Sequence, residues 1–287
     1  LCPLQKLQYL DLAFCSIQKG VLESVTCYNE SLTLESDVKV PFDKLNFINL
    51  QGNVIPSINI SIKDIAPNVE TLGLAACDIE TIDNHTFNGL SLLNHLYLSW
   101  NRLYNSIDDT LLQGLSNLEV LIASASDITD LPRKLFSYSQ NLKMLILNDN
   151  EITEASFEDP NNILNEAPGI EIFDISFNNL RYLPKGMFSQ LYKLQKMDLS
   201  ENELTEIPSD TFRDLHELHF LNNSGNRKLE HIGNGSFSGL YSLETLDLRN
   251  CMIKDIADDV FPIPNKITNL NLNNNRQMNT GNYGNSQ

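Results

Sequence analysis

The sequence predicts an α/β solenoid: a curved arc whose short parallel strands line the concave face, with loops or short helical turns on the convex face. Three observations lead there. A string of the form LxxLxLxxNxL recurs along nearly the whole chain. An aromatic or aliphatic residue stands six positions before most of these strings. At 287 residues the chain is also near the limit for one compact core, which favours an elongated array or several domains.

The strings begin at Leu7, Leu45, Val69, Leu93, Leu118, Leu142, Ile170, Leu194, Leu218, Leu243 and Ile267. From Leu45 onward the steps are 24, 24, 25, 24, 28, 24, 24, 25 and 24 residues. The first interval, of 38 residues, leaves room for an insertion or for a degenerate extra repeat around Leu32 and Leu34. The 28-residue step contains Glu158-Asp159-Pro160-Asn161-Asn162, whose turn-forming residues predict a bulge outside the stack. The predicted solenoid covers residues 1–278, about 11 to 12 repeats, and residues 279–287 form a polar tail.

Within each unit, LxL reads as a short strand with leucines inward and the intervening residues outward. The chain must then turn. At that point Asn53, Asn101, Asn150, Asn178, Asn202, Asn226 and Asn275 can bond neighbouring backbone groups in the interior. Phe87, Leu112, Phe136, Leu164, Phe188, Phe212, Phe237 and Phe261 supply a second inward stripe from the back of each unit. Because the back consumes more chain per repeat than the strand does, the stack should bend with its strands on the inside.

Lys and Arg number 20 against 37 Asp and Glu, a formal charge of -17. That balance repels phosphate backbones and anionic headgroups, so nucleic acid is not an expected partner. No window approaches the roughly 18 consecutive apolar residues of a membrane span. Neither HExxH, GxSxG, a phosphate-binding loop nor a CxxC pair occurs. His85, His95, His216, His219 and His231 are scattered over different repeats, so no catalytic residue, metal or cofactor is expected.

Cys15, Cys77 and Cys251 each fall on the Asn position, where a buried thiol serves as a weak donor. Cys2 and Cys27 fall near equivalent points one repeat apart on the outer face, which predicts a disulfide between them. Sequons for N-glycosylation occur at Asn29, Asn59, Asn84, Asn222 and Asn234. Asn222 differs from the rest, because its side chain is predicted to project from a strand onto the concave face.

Nothing in the fold requires the outward strand positions to be apolar. From Leu93 to Ile170 they nevertheless include His95, Tyr97, Trp100, Val120, Ile122, Met144, Ile146, Ile172 and Phe177, the candidate ligand-binding residues. The next repeat reads Gln195, Lys196, Asp198 and Glu201 instead, so the patch has an edge. Asp174, Asp198, Glu201 and Asp247 flank it, suggesting a partner with an apolar centre and a basic rim. Tyr9, Phe14, Phe47 and Phe220 look more isolated.

The 24-residue unit with its FxxLxxLxxLxL seam resembles the animal extracellular leucine-rich-repeat class over essentially the whole chain. The cysteines at Asn positions, the sequons and the irregular 28-residue repeat are similar to those of a Toll or Toll-like receptor ectodomain. That resemblance implies a cell-surface glycoprotein that senses a protein or microbial ligand and signals by pairing two chains, with a membrane span outside this sequence. It also implies cysteine-rich caps; neither is present, and Leu1 already stands within a repeat, so further sequence is expected at both ends. A cell-adhesion or matrix protein, and a secreted soluble recognition protein, are the alternative readings.

Overall fold

In the computed structural model the described residues are 5–17, 42–158 and 162–275, together with the backbone of 27–28 and 39–40. They form two compact units, Leu1–Met144 and Leu145–Gln287, each a parallel-strand solenoid. The tail at 279–287, the Cys2–Cys27 pair and Asn29 lie outside the residues whose side chains are described.

In the first unit, Tyr9–Asp11, Phe47–Asn49, Thr71–Gly73, His95–Tyr97 and Val120–Ile122 pair in that order, all parallel. Tyr9 is in register with Phe47, so the 38-residue interval adds no turn to this ladder. It is an insertion, within which Cys27–Tyr28 pairs antiparallel with Lys39–Val40. In the second unit, Ile172–Asp174, Lys196–Asp198, Phe220–Asn222, Thr245–Asp247 and Asn269–Asn271 form the same kind of ladder. Met144–Ile146 falls at the boundary between the units, and its Met144 N–H donates to the Glu119 carbonyl at 3.0 Å.

The strands are short because each repeat must turn after three residues, and the interior decides which residues face in. Ile48, Leu72, Leu96 and Leu121 at strand centres are buried in the first unit, as are Phe173, Met197, Leu221 and Leu246 in the second. Behind them, Phe87, Leu112 and Phe136 are fully buried, and so are Leu164, Phe188, Phe212 and Phe237. Phe188, Phe212, Phe237 and Phe261 stack successively, with ring centroids 5.8, 6.3 and 5.3 Å apart. These separations fall in the range where aromatic pairs add to simple burial.

Among the described residues, helical content is confined to 3-10 turns at Ile62–Asp64, Glu154–Phe157 and Ile163–Glu166. The last two flank the predicted bulge. There the buried Glu154 carboxylate accepts from the Arg181 backbone N–H at 3.1 Å and from its guanidinium at 2.7 and 3.1 Å. Short parallel pairs outside the main ladders join Ser57–Ile58 to Thr81–Ile82 and His231–Ile232 to Asp255–Ile256.

The asparagines cross-link successive turns. Asn101 Nδ2 donates to Leu98 O at 2.7 Å in its own turn and to Leu74 O at 2.9 Å in the one before. Its Oδ1 accepts from the N–H groups of Cys77 and Ile79 at 3.1 and 3.0 Å. Asn178, Asn202, Asn226 and Asn275 repeat the arrangement in the second unit. Each side chain therefore satisfies buried groups that a parallel strand of three residues leaves unpaired.

A thiol at this position does half of that work. Cys77 Sγ donates to Leu50 O at 3.1 Å and Cys251 Sγ to Asn223 O at 3.4 Å, but a thiol is a poor acceptor. Burial pushes the Cys251 thiol up to about 11, so it stays protonated. Cys15 corrects the expectation of a buried thiol: it is exposed, and its Sγ reaches only Ala13 O in its own turn. No described turn precedes it to cover the sulfur.

Candidate functional site on the strand faces

On each strand the first and third residues point away from the leucine core, and the chain then enters a left-handed residue just before the Asn position. That residue has positive φ in turn after turn: Phe14, Gly52, Ala76, Trp100 and Ala125, then Asp149, Phe177, Glu201, Gly225, Asn250 and Asn274. The conformation costs a non-glycine residue about 1–2 kcal/mol. Gly52, Gly225 and the two asparagines suit it, whereas Trp100 at φ 61° and Phe177 at φ 53° do not. Both rings are nonetheless more than half exposed, at 66% and 54%. Phe14, at φ 55° and 71% exposed, shares the combination, so the turn imposes the backbone and these three rings fill it without being buried.

In the first unit, His95, Tyr97, Val120, Ile122 and Met144 are half-buried beside Trp100 in sequence order along adjacent strands. The His95 and Tyr97 rings lie 6.4 Å apart and within 11° of parallel. In the second unit, Ile146 and Ile172 are half-buried and Phe177 is exposed. All nine predicted residues thus stand off the leucine core, five of them with Met144 in one unit and the remaining three in the other.

The register also gathers residues that looked isolated. Tyr9 and Phe47 stack with centroids 4.1 Å apart and planes within 5°. Phe14 lies across Gly52, where an added Cβ would come within 2.2 Å of its ring. The long first interval hid these pairings, since no spacing rule says which residue of one strand faces which of the next.

The same face also carries a depression that the repeat spacing does not mark. Phe47, Asn49, Gln51, Thr71, Gly73, Ala75, Tyr97 and Ser99 line a cavity of about 250 Å³. It exists because Gly73 and Ala75 lack the side chains that Asn49 and Gln51 carry on one neighbouring strand and Tyr97 on the other. The signal was present as Gly73-x-Ala75 at two successive outward positions.

The second unit is polar by contrast. Asp174, Asp198, Asn222, Asp247 and Asn271 stand in register on adjacent strands. Asp198 accepts from Asn222 Nδ2 at 2.8 Å, and Asp247 from Arg249 Nε at 3.2 Å. Burial pushes the Asp174 carboxyl above the usual aspartate range; hydrogen bonds from Ser176 oppose the shift, and the Asp198 charge next to it adds to it. The described residues bring together no group of three or more His, Cys, Asp or Glu able to hold a metal ion. None of their helices is long and apolar enough to cross a membrane.

Comparison with known proteins agrees with this architecture. The family model described as leucine rich repeat matches residues 67–128, 168–227 and 224–276, more than half of the chain. CD180 antigen of Mus musculus is 36% identical over 121 residues, covering 37% of this chain and 18% of its own length. Toll-like receptor 8 of Homo sapiens is 29% identical over 135 residues, covering 45% of this chain and 12% of that one. The chain therefore spans less than a fifth of either relative.

Among solved structures, a TLR13–ssRNA13 complex superposes with a TM-score of 0.68 at 26% identity, covering 80% of this chain and 36% of that one. The Drosophila Toll–Spatzle complex gives 0.59 at 18% identity over 79% of this chain and 33% of the other, a likeness of fold alone. The chain belongs to the leucine-rich-repeat family, and within it resembles the ectodomains of Toll-like receptors.

Proposed function

We propose that this chain is the ligand-binding part of an extracellular receptor ectodomain of Toll-like type, and that it recognises a protein ligand through its strand faces and signals by ligand-induced pairing of chains. The observation that carries this reading is the exposure of the large rings of Trp100 and Phe177 at a left-handed turn position that needs neither, since glycine, asparagine or alanine fills it in six of the other nine turns. Trp and Tyr are the residue types that most often anchor interfaces, and Tyr97 stands on the same strand face as Trp100. Catalysis has no part in the proposal.

The structural relatives bind an RNA in one case and Spatzle in the other. For this chain the protein class is favoured by its charge of -17, which would repel a phosphate backbone. The sequons support an extracellular location. Asn59, Asn84 and Asn234 are exposed, each just after a short strand outside the main ladders. Glycans there would leave the strand faces open. Asn222 is half-buried on the second unit's face with its Nδ2 already donated to Asp198, so a glycan at that position would cover the polar ladder.

Panning a displayed peptide library against the chain tests the reading. Selected binders should lose at least about 2 kcal/mol of affinity when Tyr97 and Trp100 are changed to Ala. Binders indifferent to both changes would overturn it.

A further inference from the structure

The cavity over Gly73 lies wholly within the first unit, and its lining is specific enough to define an occupant. Resting on the proposed binding role of this face, we infer that the Gly73 slot receives one neutral aromatic side chain of a protein ligand, a tyrosine or tryptophan flanked by a basic residue.

Size sets the first limit. At about 250 Å³ the slot is smaller than the roughly 300–1,000 Å³ of ordinary small-molecule sites, and it suits a single side chain. Shape sets the second. Gly73 is in register with Asn49 on one side and Tyr97 on the other, and strands in a sheet lie about 4.8 Å apart. A flat group resting on Gly73 therefore sits about 5 Å from Tyr97, inside the range of roughly 4.5–7 Å at which aromatic rings attract one another.

Polarity narrows the choice further. The lining contains amides, hydroxyls and rings but no charged side chain, so a carboxylate or an ammonium would enter without a counter-charge. Asn49 is already committed: its Oδ1 accepts from the Gln51 N–H at 3.1 Å and its Nδ2 donates to Asp11 at 3.1 Å. Among the described residues the Gln51 side-chain amide and the Tyr97 hydroxyl have no hydrogen-bond partner. They offer a phenol or an indole N–H the polar contact that an aliphatic side chain cannot use. Asp11, exposed one strand beyond Asn49, places a carboxylate at the rim for a neighbouring basic residue.

Gly73 also makes the slot testable, because its φ lies outside the left-handed region and a β-branched residue fits strand backbone there. A Cβ would come 2.7 Å from the Asn49 amide oxygen and 3.5 Å from the Asn49 Cα, so the Asn49 side chain must shift against its bonds to Gln51 and Asp11 to admit it. The experiment follows amide resonances of the whole chain by NMR during titration with capped dipeptides, Ac-Arg-Tyr-NH2, Ac-Arg-Leu-NH2 and Ac-Glu-Tyr-NH2, and with uridine. The Arg-Tyr peptide should give saturable shifts at Thr71, Gly73, Ala75 and Ser99. These should weaken with Arg-Leu and with Glu-Tyr, and vanish in Gly73→Val and in Ala75→Leu while the remaining spectrum stays that of the wild type.

Two variants are used so that misfolding of one leaves the other to decide. Shifts that persist in a folded variant, an Arg-Leu peptide that binds as well as Arg-Tyr, or a response to uridine alone would each overturn the inference. Its failure is separable from failure of the proposed function. Library binders that need Trp100 but ignore Gly73→Val would remove the slot and leave the binding face intact.

Discussion

Replacing Asn223 by Leu should stabilise the protein. Asn223 is fully buried at an inward strand position that Leu199 and Leu248 fill in the turns on either side. Its Oδ1 accepts from Asn226 Nδ2 at 3.2 Å, but its own Nδ2 has no partner. A desolvated donor of this kind costs about 1–3 kcal/mol. Removing it recovers that amount, and burying a leucine adds about 1.5–3 kcal/mol.

Against the gain stand the lost Asn226 contact, worth about 1 kcal/mol, and crowding from the larger side chain, which costs about 1–3 kcal/mol. Asn226 keeps its bonds to Leu199 O and Asn223 O at 3.1 Å, so it is not orphaned. The net expectation is a stabilisation of about 1–2 kcal/mol. The sequon survives as Asn222-Leu-Ser224, so glycosylation does not confound the comparison. Urea unfolding of wild type and Asn223→Leu should show a higher midpoint with an unchanged slope. A lower midpoint would mean that the amide nitrogen is satisfied after all, and the reasoning would fail.

Other changes probe the same interior. Asn202→Ala orphans the Leu180 N–H and should cost about 2–3 kcal/mol in urea unfolding, whereas Asn202→Cys should cost less, since a thiol can still donate toward Ile175 O as Cys77 does toward Leu50 O. Glu154→Gln should cost about 1.5–3 kcal/mol at neutral pH. Hydrogen bonds and the charge of Arg181 outweigh burial and hold the Glu154 carboxyl below the ordinary glutamate value. Its contribution is therefore complete above that value and disappears as pH falls through the lower folded value. Thermal melts of the wild type over that window should converge with those of Glu154→Gln. Asp174→Asn should have the opposite sign: the folded carboxyl sits above the ordinary aspartate value and opposite Asp198, so neutralising it should raise stability by about 0.2–1 kcal/mol at neutral pH. Below the ordinary aspartate value, where both states bind the proton, the difference should vanish.

The repeat made most of the fold legible, because period and burial are the same information. Leu93, Leu96 and Leu98 announce an inward face, and Asn101 announces the turn and its cross-links. What stayed hidden depends on relations between turns. The Tyr9–Phe47 stack needs the register across a 38-residue interval, which the strings alone do not define. Gly73 reads in sequence as a weak strand residue; only its neighbours Asn49 and Tyr97 turn the missing side chain into a slot. Trp100 was legible as an outward aromatic, but its positive φ was not, because that conformation is imposed by the turn and not by the residue. Cys15 shows the same limit, since a shared motif position conferred burial on Cys77 and Cys251 but not on it.

The proposed function turns on whether ligands meet the strand face of the first unit. Val120→Asn combined with Ile122→Thr would create a glycosylation site on that face while leaving buried Leu121 in place. Affinity of library-selected binders for the glycosylated variant, compared with its enzymatically deglycosylated form, measures the claim directly. The account predicts that the glycosylated variant binds far more weakly than its deglycosylated form, which is itself weaker than wild type through the loss of Val120 and Ile122; equal and undiminished affinity of both forms would contradict it.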